Sequence, residues 1–328
     1  MTVATLNPTS DRPALWKRLL GSELWVLYLV VLYFAAVLPF APRLGSAENL
    51  RNVFSNMLPL LVVAAGQTVV LITGGIDLSV TSIIGLASVA GASVITADGG
   101  LLPGGGAGIA AAIAVMVTAG IAVGAFNGVA VTRLRMPPFI VTLTTMMFVS
   151  GLAVWATKSR PIYNLPGEFN ALGKGIWAVA IAGTVALAIH VLLGRALPGR
   201  WIYAVGMNLS AARISGIPVN GVILSAYVLS GACASVASLL YTARLETGSP
   251  VLGQRILLDV IGATVIGGTS LFGGKGKILW TVFGVALICV IDNTLNMLGL
   301  SYFVVMMVKG GVILGAALLD AARTRLLN

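Results

Sequence analysis

Ten apolar stretches recur along this sequence, at 24–41, 57–73, 78–97, 107–132, 138–157, 176–194, 218–241, 258–274, 278–298 and 302–320. Each is long enough to cross a hydrocarbon core about 30 Å thick as a helix. A backbone facing lipid must satisfy its own hydrogen bonds, and no alternating barrel pattern is present, so all ten are expected to be helices. Only 9% of the 328 residues are charged, too few to cover a soluble surface of this size. The fold class that follows is all-α: a polytopic integral membrane protein of about ten transmembrane helices. Its expected organisation is a tail at 1–23, a membrane domain at 24–320 and a second tail at 321–328.

Lysine and arginine placement orients the bundle. With ten spans, one set of connections holds Arg12, Lys17, Arg18, Arg133, Arg135, Arg195, Arg200, Arg213, Lys275, Lys277, Arg323 and Arg325. The other holds Arg43, Arg51, Lys158, Arg160, Lys174, Arg244 and Arg255. The bias puts both termini in the cytoplasm. The same pattern explains the net charge of +10 without nucleic acid, since the basic residues sit in short loops beside the lipid bilayer. Cys233 and Cys289 fall inside apolar runs and read as small core residues.

Asp77, in LITGGIDLSV, is an acid in a region where a carboxylate costs about 2.5–3.5 kcal/mol on insertion scales. Gly74 and Gly75 can end a helix in conformations closed to other residues. Asp77 can then cap the next helix by accepting backbone N–H bonds. It can also line a polar path, and the two roles are compatible. Other polar residues within spans are mostly uncharged, among them Gln67, Thr68, Ser79, Ser82, Asn127, Thr142, Thr144, Thr145, Asn293 and Asn296. Such a set suits a neutral polar solute better than an ion, although each alone is commonly a helix–helix hydrogen bond. His190 reads as an interfacial residue, and Lys309 as the partner of an acid or a snorkelling cation.

Glycine carries the remaining local signals. Gly120, Gly124 and Gly128 form a small-residue stripe for close helix packing within the subunit. VLITGGIDLSV at 70–80 and ATVIGGTSLFGG at 263–274 echo each other, which makes Gly74, Gly75, Gly267, Gly268, Gly273 and Gly274 candidate break or hinge positions. The long connection at 195–217 predicts a short helix capped by Asn208 or Ser210 and stopped by Gly216 and Pro218. Such a helix suits lipid headgroups or a partner's groove.

Catalytic chemistry has no footing here: no nucleophile stands with a base, and no residues have metal-ligand spacing. LFGGKGK is no phosphate-binding loop, because neither lysine precedes Ser or Thr. The chain is not expected to be an enzyme or to hold a cofactor of its own. An ion-coupled secondary transporter would need ligands for its ion, and Asp77, Asp259, Asp292 and Lys309 are scattered along the sequence.

Five stretches together resemble the membrane permease subunits of ribose-type bacterial ABC importers for monosaccharides. They are TGGIDLSVTSIIGLASVAGA (73–92), PPFIVTLTTMMFVSGLA (137–153), GRWIYAVGMNLSAARISGI (199–217), VIGGTSLFGGKGKILWTVFGV (265–285) and LNMLGLSYFVVMMVKGGVILGAALLD (295–320). The resemblance implies a homodimeric permease of the bacterial inner membrane that works with a periplasmic sugar-binding protein and a cytoplasmic ATPase, the latter holding ATP and Mg. It also implies that 203–216 contains the coupling helix docking on that ATPase, with Tyr203, Asn208, Ala211, Ala212, Arg213 and Gly216 as its motif. Gln67, Asp77, Ser79, Asn127, Thr142 and Thr145 are then the candidate path residues. Trp280 and IDNTLN (291–296) depart from the usual family pattern.

Overall fold

The computed structural model describes residues 25–327, with side chains described for 26–315 and 318; the tail at 1–23 lies outside the described residues. Among the described residues the elements are α1 (Trp25–Val37), a 3₁₀ turn (Pro42–Gly45), α2 (Ala47–Ile72), α3 (Val80–Ile95), α4 (Gly105–Thr132), α5 (Pro138–Ala156), α6 (Gly167–Ala171), α7 (Gly175–Arg195), α8 (Leu197–Met207), α9 (Leu209–Ile214), α10 (Val219–Leu245), α11 (Leu257–Ile266), α12 (Ile278–Met297) and α13 (Tyr302–Leu327). A lone bridge between Ile162 and Gly248 is the only β pairing among them.

Each of the ten predicted stretches is occupied by an apolar helix. Six of these, α2, α4, α5, α7, α10 and α12, are long and apolar enough to cross a membrane; the apolar parts of α1, α3, α11 and α13 are shorter. Three boundaries differ most from expectation. The stretch expected at 57–73 begins at Ala47, because Ser46 caps the helix, its hydroxyl accepting the Asn49 N–H at 3.3 Å. The stretch expected at 258–274 stops at Ile266, where a glycine cap turns the chain into a loop. The last helix runs on to Leu327.

Helices α2 and α10 form the interior. α10 packs on α2, α3 and α4, while α2 also packs on α7, α11 and α12. Their side chains from Val62 to Ile72 and from Ser230 to Ala243 are largely buried, whereas α4, α5 and α7 keep most of their apolar surface outward, as lipid-facing helices should.

The seam between α4 and α10 is made by the glycine stripe. A Cβ at Gly120 would overlap the Ser235 hydroxyl and the Gly231 carbonyl; one at Gly124 would overlap the Tyr227 carbonyl. A Cβ at Gly128 would lie 2.6 Å from the Leu224 side chain. Gly231 answers from α10, where a Cβ would meet the Gly120 carbonyl. With lipid on the outside, such backbone-to-backbone approach supplies the dispersion that the hydrophobic effect cannot.

Gly120→Ala should therefore destabilise the folded protein by about 1–3 kcal/mol through overpacking. Gly183→Ala on α7, where nothing lies within 4 Å, should be neutral or slightly stabilising. Unfolding in detergent, followed by circular dichroism, compares the two; equal stability would show that the α4–α10 seam is loose.

Candidate functional site

α2 ends in a Schellman motif. The Gly75 N–H donates to the Val70 carbonyl at 3.2 Å and the Gly74 N–H to Leu71 at 2.9 Å, with Gly74 left-handed at φ +80. Gly75 is glycine for another reason: a Cβ there would lie 2.6 Å from the Tyr227 hydroxyl. α11 ends the same way. Thr269 N–H donates to Thr264 at 3.0 Å and Gly268 N–H to Val265 at 2.8 Å, with Gly268 at φ +86. The sequence echo is thus one capping device used twice, and the two breaks meet: the Gly274 N–H donates to the Ile72 carbonyl at 2.9 Å.

Between α2 and α3 the chain runs through Asp77, which is fully buried. One carboxylate oxygen accepts the Ser79 N–H at 3.0 Å and the Ser79 hydroxyl at 2.6 Å; the other accepts the Ser230 hydroxyl of α10 at 2.8 Å. Its bonds reach Ser79, the residue ahead of α3, instead of the first-turn N–H groups expected of a helix cap. Ser79 in turn accepts from the Asn127 amide of α4 at 2.8 Å, and the Asn127 oxygen accepts the Thr145 hydroxyl of α5 at 2.8 Å. Thr142 lies 3.2 Å from the Ile76 carbonyl, which also receives the Tyr227 hydroxyl at 3.4 Å.

Donation runs in one direction, from Thr145 through Asn127 and Ser79 to a carboxylate that only accepts, so α4, α5 and α10 converge on one buried acid. Four of the six expected path residues, Asp77, Ser79, Asn127 and Thr145, belong to this network, and Thr142 stands beside it at the Ile76 carbonyl. Gln67 stands apart, buried in α2 with no hydrogen-bond partner for its amide among the described residues. At about 1.5 Å per residue, Asn127 and Thr145 sit roughly 8–10 Å in from the ends of α4 and α5 that meet at Arg133 and Arg135.

Beside the break lies a cavity of about 1030 Å³. Thr73, Gly74, Gly75 and Tyr227 form one wall; Arg133, Arg135 and Arg213 are among the rest. Among the described residues no acid lines it, and Asp77 is not part of its wall.

The connection at 195–217 folds as two helices, α8 and α9. Asn208 caps α9, its oxygen accepting the Ala211 N–H at 2.9 Å, and Gly216 ends it at φ +79. Ala211, Arg213 and Ile214 are exposed while Ala212 is buried, so α9 shows one face outward. Tyr203 instead turns inward and donates to the Gly276 carbonyl at 2.6 Å.

The charged residues that look scattered in sequence are not scattered in space. Lys309 of α13 lies 3.0 Å from Asp259 of α11 and 2.6 Å from Asp292 of α12, forming one ion cluster across three helices. Only Asp77 remains apart. The sequence reasoning missed this cluster, Ser230 and Tyr227, because no spacing rule links positions on different helices. Lys309 paired with an acid was the one legible hint. His190 is exposed on α7, and both cysteines are buried and free.

Asp77→Asn should cost about 1–3 kcal/mol, because an amide offers hydrogens where Ser79 and Ser230 already donate. Ser230→Ala in that background should cost less than in the parent, a coupling that thermal unfolding of the four proteins measures. Lys309→Met should cost about 3–5 kcal/mol, chiefly by leaving the largely buried Asp259 without its cation, since Asp292 is half exposed. An unchanged midpoint would mean that the cluster is held open to water.

The family described as branched-chain amino acid transport system / permease component matches residues 49–317. The ribose import permease protein RbsC of Escherichia coli K12 is 36% identical over 326 residues, covering 96% of this chain and 98% of that protein. Its namesake in Bacillus subtilis 168 is 38% identical over 312 residues, 93% of each chain. The autoinducer 2 import system permease protein LsrC of Yersinia pseudotuberculosis is 32% identical over 280 residues, 84% of this chain and 78% of that one. No solved structure matches. With the family matched from the start of α2 into α13, this chain belongs to the branched-chain amino acid transport system / permease component family.

Proposed function

We propose that this chain is the membrane permease subunit of an ATP-binding cassette importer that carries a monosaccharide or related polyol inward across the bacterial cytoplasmic membrane. The observation that carries the reading is similarity to ribose permeases along nearly the whole length of the chain. The buried network supports it, because hydroxyl and amide groups near a cavity at a helix break suit a neutral hydroxylated solute. A periplasmic sugar-binding protein delivers that solute, and a second copy of the chain completes the path.

The end that carries Arg133, Arg135, Arg213 and α8–α9 faces the cytoplasm in this reading, in line with the positive-inside bias. There α9 is the coupling helix. Its cap at Asn208 and its stop at Gly216 hold a short rigid element outward, with Arg213 presented to the ATPase. ATP and Mg sit on that partner. Closure of the ATPase dimer pushes α9, and the bundle exchanges between outward-open and inward-open states whose populations ATP biases.

The test is reconstitution of the chain with its ATPase and binding protein in vesicles. Sugar uptake should need all three and ATP, and Arg213→Glu with Gly216→Val should lower it roughly tenfold while the protein still inserts. Normal uptake by that variant would remove α9 from coupling. Uptake by the chain alone without ATP would favour an ion-coupled carrier.

A further inference from the structure

The helix pair meets the end of α2 and the loop after α11 through the second half of α8. Tyr203 and Gly206 are three residues apart and share one helix face. Tyr203 ties that face to the loop after α11 through the Gly276 carbonyl, at 2.6 Å. One turn on, the space that a side chain at Gly206 would fill is taken up by backbone. A Cβ there would overlap the Ile72 carbonyl and lie 2.6 Å from the Gly274 nitrogen, the two atoms joined by the 2.9 Å hydrogen bond between the breaks. From the other side, a Cβ at Gly273 would lie 2.8 Å from the Gly206 carbonyl and 3.1 Å from the Gly74 nitrogen.

Three backbones therefore meet with no side chain between them: α8, the end of α2 and the loop after α11. A contact made through long side chains absorbs a small displacement by a change of rotamer. Backbone in contact has no such freedom, and close-packed interiors transmit strain. Ile72 is the last residue of α2, two positions before the left-handed Gly74 that aims the chain at Asp77. Gly274 closes the loop that opens at the Gly268 cap of α11. A shift of α8 at Gly206 displaces both breaks together.

We propose that Gly206 is a positioning residue for transport, passing movement of α8–α9 to the breaks after α2 and α11 through the Ile72–Gly274 hydrogen bond. The proposal rests on the reading of α9 as the element that docks the ATPase. It makes α8 the lever and α9 the handle.

The experiment uses the reconstituted complex of permease, ATPase and binding protein, and reads sugar transported per ATP hydrolysed, per assembled complex. Gly206→Ala forces the three backbones apart and should lower that ratio roughly tenfold. Tyr203→Phe keeps the ring, deletes only the hydroxyl, and should lower it roughly fivefold, which keeps the proposal testable if the alanine variant does not assemble. A merely structural role would reduce the amount of complex and leave the ratio unchanged. In parallel, Ala211→Cys on α9 is cross-linked to cysteines on the ATPase. If the cross-link forms and Tyr203→Phe or Gly206→Ala keeps the parental ratio, the Gly206 assignment is overturned and docking through α9 stands. If no cross-link forms, docking fails and the assignment falls with it.

Discussion

A helix that stops inside a low-dielectric medium frees backbone groups that water cannot reach, and everything distinctive in this bundle answers that constraint. At the end of α2 the Val70 and Leu71 carbonyls are taken by the Schellman bonds from Gly75 and Gly74. Ile72 receives the N–H of Gly274, two hundred positions along the chain, and Ile76 is approached by Thr142 and Tyr227. Asp77 then collects the Ser79 N–H with two hydroxyls. The break is stable because α5, α10 and the loop after α11 attend to it. A segment held in this way by its neighbours also moves when they move.

Two kinds of contact divide the work of packing. Where α4 meets α10, glycines bring backbones together and the contact is broad, apolar and built for permanence. Where α8 meets Ile72 and Gly274, the same absence of side chains occurs at one small point, near a basic cavity and beside two left-handed glycines. The first resembles a weld and the second a bearing. The Lys309 cluster belongs with the first kind. It ties α11, α12 and α13 together on the far side of α11 from its glycine cap.

The fold was largely legible. Hydropathy alone located ten helices to within a few residues at most ends, because each helix must be apolar over a length set by the bilayer. It failed where the rule changed. Ser46 starts α2 ten residues before the apolar run, since a helix that projects past the hydrocarbon is governed by caps and not by hydropathy. Residues 267–274 hold only Leu271 and Phe272 as large apolar side chains among four glycines, and Gly268 turns them into a loop. The site was legible in part. Its polar members could be picked out by type, as groups that a membrane helix carries only for a reason. Their connections could not, because Asp77 and Ser230 are separated by 153 positions and no local pattern refers one to the other.

By itself, the sequence determined the elements: long apolar runs must become helices, glycine pairs permit breaks, and Asn208 with Gly216 delimits a short exposed helix. Those outcomes follow from interactions within a few residues or with a uniform solvent. The tertiary structure alone decided which distant donor the freed Ile72 and Ile76 carbonyls would find. It also decided that three charges far apart in sequence would share one cluster, and that Gly206 would sit between the two breaks. These depend on which helix faces lie against each other, and that choice is made by the packing of the whole bundle.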